Sequence, residues 1–124
     1  MLTTRIYILL VFSALYLSSC THEPIIPDQQ ISFDTVIRPI ITNSCQHAGC
    51  HGQLTYGSAF PLITYNEISN PEYVIPGNPK NSKLYKTLIS SSTEDKMPKD
   101  PYLTLSTKNI NSIYVWIAQG AKDN

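Results

Sequence analysis

The residues best equipped for chemistry in this chain are Cys45 and Cys50, with His51 directly after the second thiol. Two thiols can add across the vinyl groups of a porphyrin, join each other in a disulfide, or hold a soft metal; an imidazole beside them can ligate iron or zinc. Haem attachment through two thioethers uses the pattern Cys-x-x-Cys-His. The segment Cys45-Gln46-His47-Ala48-Gly49-Cys50-His51 departs from that pattern by placing four residues between the cysteines. On a helix, residues three apart lie about 60° apart in azimuth and residues five apart about 140°. The wider spacing therefore predicts an irregular loop, with Gly49 as the residue able to take a positive φ at low cost. His51 would then stand beneath the porphyrin plane as an axial ligand.

A sixth iron ligand would have to come from elsewhere in the chain, and Met97 is the candidate. Apart from Met1 it is the only methionine, and in Lys96-Met97-Pro98 the proline restricts its backbone to extended conformations on a loop. That polar, proline-flanked setting is unlike the usual gap-filling methionine of a core. Three rival readings of the cluster stay open. A Cys45–Cys50 disulfide is natural in an oxidising compartment. A zinc site built from Cys45, His47, Cys50 and His51 would ask adjacent residues to reach one tetrahedral ion. A thiol redox pair lacks both the Cys-x-x-Cys spacing and a preceding strand. His47 in its polar loop and His22 near the N-terminus are expected to be solvated.

The N-terminus bears on the third cysteine. Arg5 supplies a positive charge, Ile6 to Leu17 is a mostly apolar run of twelve residues, and Leu17-Ser18-Ser19 leads into Cys20. A membrane span needs about 20 apolar residues, so residues 1–19 read as an export signal. The cleavage region resembles a bacterial lipoprotein signal, which implies lipidation of Cys20 and a membrane-anchored mature chain; more than one acyl chain suffices for stable anchoring. Ordinary secretion would leave Cys20 as a reactive thiol. With Cys20 lipidated, Cys45 and Cys50 are the only remaining pair.

The mature chain would hold the 105 residues Cys20 to Asn124, enough for one domain with a modest core that a cofactor would help to fold. The full chain has nine basic and nine acidic residues; loss of Arg5 leaves eight against nine, a formal charge of minus one. Nothing in that balance suggests nucleic acid. Residues 20–31 carry the lipidation site and a proline-containing polar tether, and residues 32–124 form the domain.

Within it, no strand alternation persists and no repeat occurs. Phe33, Val36, Ile37, Ile40 and Ile41 share one face of a helix that enters the cysteine motif, with Ser32 as its cap. Pro39 removes a backbone donor there and bends or restarts the helix. A second helix is expected over Lys83 to Ile89, capped by Ser82 and burying Leu84, Leu88 and Tyr85. The last is the clearest: Ser106 caps it, Ile110, Ile113, Tyr114 and Ile117 make an apolar stripe, and Gly120 stops it. Irregular chain rich in Pro, Asn, Ser and Tyr lies between.

Several separated motifs then follow in order: Val36-Ile37-Arg38-Pro39-Ile40-Ile41, Cys45 to Gly52, Ile75-Pro76-Gly77-Asn78-Pro79, Ser82-Lys83-Leu84-Tyr85, Met97-Pro98, Leu105-Ser106 and Trp116-Ile117-Ala118-Gln119-Gly120-Ala121. In this the chain resembles the small class I c-type cytochrome domain of planctomycete type, over the 86 residues from Val36 to Ala121. The resemblance implies an all-α domain of three or four short helices with long loops around one covalent haem c. It implies thioethers from Cys45 and Cys50, iron ligation by His51 and Met97, Pro76 and Gly77 lying against the haem, and Trp116 as the core aromatic of the terminal helix. The four-residue gap is the departure, and it permits a descendant domain that keeps the fold without haem; the retained His51 and Met97 argue against that loss.

Histidine and methionine together would leave iron no open position. The expectation is therefore one-electron transfer without catalysis or a small-molecule substrate, in a lipid-anchored protein of the bacterial cell envelope that passes electrons to a redox partner protein. Lys80, Lys83, Lys86, Lys96 and Lys99 face only Glu94 and Asp95 in their own stretch, which suits an acidic docking face on that partner; the plainer reading is a solvated lysine-rich surface. Two alternatives belong to other classes: an envelope lipoprotein interaction module without haem and with a Cys45–Cys50 disulfide, and a peroxidase-like enzyme if Met97 leaves the iron open.

Overall fold

Pro39 decides how the first helix begins. Without an N–H it cannot donate to the carbonyl of Thr35, which an unbroken α-helix would require. In the computed structural model, which describes residues 23–53 and 60–124, the chain solves this by starting twice. Phe33–Ile37 forms a π-helical turn in which Ile37 N–H donates to Ser32 O at 3.3 Å and Arg38 N–H donates to Phe33 O. Helix α1, Arg38–Cys45, then starts with Pro39 in its first turn, where a missing donor costs nothing. Ser32 Oγ accepts from Thr35 N–H at 3.2 Å, the expected cap. Asn124 adds a second set of acceptors, its Oδ1 for Phe33 N–H at 2.9 Å and its backbone O for Asp34 N–H at 3.1 Å. The predicted export signal, the expected lipidation site at Cys20, and His22 lie outside the described residues.

Helix α2, Tyr65–Ile68, was not expected from periodicity, since four residues carry almost none. It is made by its ends. Thr64 Oγ1 accepts from Glu67 N–H at 3.3 Å while the Glu67 carboxylate accepts from the backbone of Thr64 at 2.7 Å and of Ile63 at 3.0 Å, a complete capping box. These donors, the Thr64 backbone N–H first, hold the Glu67 carboxyl below its usual range. Thr64→Ala is expected to cost about 1 kcal/mol, read as a lower urea midpoint at unchanged slope. Because folding depresses the Glu67 pKa, its stabilisation is complete above the unfolded value of 4.5 and is lost as pH falls through the folded value. The stability gap between wild type and Glu67→Gln should therefore be present near neutrality and close in acid.

Helix α3 occupies Lys83–Ile89, the expected span, and is preceded by a 3₁₀ turn at Pro79–Asn81. Leu88 is buried, with Leu84 and Tyr85 packed partly against the core. Ser82 stands at the N-cap position but does not cap. Its wholly buried hydroxyl accepts from Ile75 N–H at 2.9 Å and donates to Asn78 O at 2.9 Å, pinning the loop before the helix instead.

Helix α4, Thr107–Ala118, begins as expected with Ser106 Oγ accepting from Asn109 N–H at 3.2 Å. It ends in a Schellman motif: Ala121 N–H donates to Trp116 O at 2.8 Å and Gly120 N–H to Ile117 O at 3.0 Å. Its stripe of Ile113, Tyr114 and Ile117 is buried, with Ile110 at its margin. The helix packs against the π-helical turn, the 3₁₀ turn and α3, so the core lies between its buried face and Phe33, Ile37 and Ile41. The described residues contain four α-helices and no strand, consistent with the all-α expectation. Among them no helix is long and apolar enough to cross a membrane.

Candidate functional site

The cysteine segment leaves the end of α1 and closes on itself. Cys45 is the last residue of the helix. Beyond it, Cys50 N–H donates to His47 O at 3.0 Å and His51 N–H donates back to Cys45 O at 3.1 Å, so the four intervening residues form a tight loop. Gly49 has φ of 81°, the left-handed conformation that the spacing required of it. Gly52 is needed for a different reason: a Cβ there would stand 3.0 Å from the Gln46 carbonyl oxygen, inside the space of the loop backbone. Gln46 fastens the loop outward by donating its side-chain amide to Leu62 O at 2.6 Å.

The orientation of His51 is set by one bond. Its Nδ1 lies 2.7 Å from Phe60 O, and a carbonyl oxygen can only accept, so Nδ1 carries the proton. Nε2 is then the basic nitrogen, presented with its lone pair for a metal, the arrangement by which a backbone carbonyl orients a ligating imidazole. The ring also packs on Phe60 at 4.9 Å between centroids, and Phe60 in turn stacks on Tyr73 at 4.3 Å and 3°. Met97 approaches from the other side of the sequence. Its N–H donates to Thr87 O at 3.0 Å, which ties the Met97 loop to α3.

Two cavities meet at these residues. One, of about 230 Å³, runs inward between Leu62, Ile68, Leu84 and Leu88. The other, of about 410 Å³, runs toward His47, Cys50, Pro98 and Tyr102. Cys45, His51, Phe60 and Met97 line both. The second, with a few polar groups converging on it, falls within the range of about 300–1,000 Å³ usual for a bound small molecule, and the first extends it with an apolar recess.

Cys45 and Cys50 are half-buried free thiols, not joined to each other. Burial, with the Cys50 thiol nearby, pushes the Cys45 thiol up to about 11. A thiol that stays protonated at neutral pH is a poor redox nucleophile. Among the described residues no three His, Cys, Asp or Glu side chains converge as a metal-holding group, so the four donors of the zinc alternative are not gathered on one point. A haem fits the residues better, since it asks for one imidazole, one thioether and two separate thiols around an apolar slot.

Of the residues singled out from the sequence, Cys45, Cys50, His51 and Met97 are brought together. Pro76, Gly77 and Trp116 line neither cavity. Pro76 and Gly77 are exposed, and Gly77 N–H donates to Ile117 O at 2.7 Å, which joins their loop to the end of α4. Trp116 is buried in the core against Phe33. The aromatic wall of Phe60 and Tyr73 was not anticipated, because both residues lie outside regular helices and leave no periodic trace. His47, expected to be solvated, stacks on Tyr102 at 4.1 Å and 6° at the rim of the larger cavity.

The lysine-rich stretch is also less uniform than its composition suggests. Lys80 is paired with Glu23 and Lys83 lies 3.7 Å from Glu72, partners that come from outside the stretch. In comparisons with protein families, curated proteins and solved structures, nothing matches this chain.

Proposed function

We propose that the protein is a lipid-anchored electron carrier of the bacterial cell envelope, holding one covalent haem c between His51 and Met97. The observation that carries the reading is that His51, its Nε2 left basic by the Phe60 carbonyl, and Met97 line the same two apolar cavities as Cys45. Cys45 and Cys50 would supply the thioethers, and the positive φ of Gly49 lets the longer loop return to His51. When bound, the haem supplies a one-electron iron couple. This chain's residues would supply the rest: His51 and Met97 would hold the iron and leave no site for a substrate, and Leu62, Ile68, Leu84 and Leu88 line the apolar side of the slot. The dry surroundings and the thioether favour the ferrous state and a relatively high potential. A redox protein partner is proposed on the same basis, with Lys86, Lys96 and Lys99 as the part of the basic stretch that does not pair with Glu23 or Glu72.

The test is direct. Full-length protein expressed with haem-attachment machinery should give a haem-staining band on a denaturing gel and a low-spin spectrum that changes reversibly between oxidised and reduced forms. Absence of covalent haem under those conditions overturns the carrier reading.

A further inference from the structure

Residues 20–31 have the composition of a flexible tether, yet the described part, 23–31, is fastened along the domain. Gln119, at the C-terminal end of α4, is the main clamp. Its Nε2 donates to Pro27 O at 2.9 Å and to Gln29 O at 3.0 Å, while its Oε1 accepts from Ile31 N–H at 2.8 Å. Farther toward the N-terminus the Glu23 carboxylate pairs with Lys80 and accepts from Tyr114 Oη at 3.3 Å. Both bonds hold the Glu23 carboxyl below its usual range. Pro24, Ile25 and Pro27 lie along a groove with Lys108 and Val115 of α4. Five polar contacts, four to α4 and its C-cap and one to Lys80 in the 3₁₀ turn, are more than a linker needs, and they fix where the chain leaves the domain.

We infer that residues 23–31 form a strap that seats the domain directly on the bilayer, with Ile25 and Ile26 turned to the lipid surface; the inference rests on the lipidated Cys20 of the proposed function. The length of chain decides the occupant. Three residue steps separate Glu23 from Cys20, a reach of at most about 11 Å, so an acyl-bearing Cys20 holds the Glu23 end of the strap within headgroup distance of the acyl chains. Between the two fastened ends, Ile25 is 84% exposed and Ile26 is 51% exposed. Adjacent exposed isoleucines at the membrane-proximal end of a domain bury apolar area against lipid that they otherwise leave in water. Lys108 beside the groove adds a positive charge for anionic headgroups. The domain then has one orientation on the membrane instead of swinging on a tether, and the rim of the larger cavity keeps a fixed angle to it.

Hydrogen exchange followed by mass spectrometry on the full-length exported protein, in phosphatidylethanolamine and phosphatidylglycerol vesicles, tests this. The strap predicts exchange of the Ile31 amide, which donates to Gln119 Oε1, slowed about tenfold or more relative to Gln119→Ala. Vesicles should slow Ile25 and Ile26 further and leave Lys99 to Leu103 unchanged. The mass of the N-terminal peptide reports acylation of Cys20 in the same samples. A peptide without acyl chains overturns the anchor itself. With acyl chains present, an Ile31 amide that exchanges as fast as in Gln119→Ala, or vesicle protection at Lys99 to Leu103 in place of Ile25 and Ile26, overturns the strap.

Discussion

Met97→Ala is expected to convert a low-spin spectrum into a high-spin ferric one that accepts added cyanide or imidazole. The potential should fall, within the span of about 0.8 V over which axial ligands set haem potentials. Apart from Met1, the chain contains no second methionine to take the position. Among the other cavity-lining donors, the Lys99 ammonium already donates to the carbonyls of Thr93 and Glu94. Alanine keeps the backbone N–H that bonds Thr87 O at 3.0 Å, so the loop should stay on α3 and the urea midpoint should move little. That combination separates loss of a ligand from loss of the fold. Met97→His should restore a six-coordinate, low-spin state at a lower potential, because imidazole favours ferric iron more than thioether does. A low-spin spectrum unchanged by Met97→Ala would remove Met97 from the iron and place another ligand there, whereas a high-spin wild-type spectrum that accepts external ligands would favour the peroxidase-like site.

How much of this was legible in the residues depends on whether local rules were sufficient. The ends of α4 were, because Ser106 and Gly120 act within one turn of themselves and the stripe between them has a clear period. The span of α3 was found for the same reason, yet the role given to Ser82 was not. A serine before a helix has two uses for its hydroxyl, and here the Ile75 N–H and Asn78 carbonyl of the preceding loop outcompete the N–H groups of Leu84 and Tyr85. Helix α2 was hidden in the periodicity but present in the motif Thr64-x-x-Glu67, whose capping box is readable without any repeat. In the site, Cys45, Cys50, His51 and Met97 could be named because their chemistry is rare in this chain. The bond that orients His51 could not, since Phe60 O becomes its partner only through the return of the chain after the cysteine loop. Charge counting along the sequence likewise missed Glu23 and Glu72, which reach Lys80 and Lys83 from distant segments.

Trp116→Ala is expected to destabilise the protein by about 3–5 kcal/mol, the cost of a large aromatic removed from a packed core. Against a domain stability of about 5–15 kcal/mol, that is enough to leave much of the protein unfolded at modest urea. Trp116 is 1% exposed and packs on Phe33 at 5.7 Å between ring centroids. Phe33 is itself held edge-on by Tyr65 at 5.0 Å and capped on its face by the Arg38 guanidinium at 4.7 Å. The void would therefore open where the π-helical turn, α2 and α4 meet, and the aromatic neighbours are too constrained by these contacts to fill it. Trp116 Nε1–H also donates to Lys122 O at 2.9 Å. Trp116→Phe keeps most of the apolar volume and loses that bond, so about 1 kcal/mol is expected. Because Trp116 lines neither cavity, the phenylalanine variant should show the wild-type haem spectrum and potential while melting earlier. A shifted spectrum in Trp116→Phe would instead mean that the terminal helix touches the cofactor and that the cavities close around it from that side.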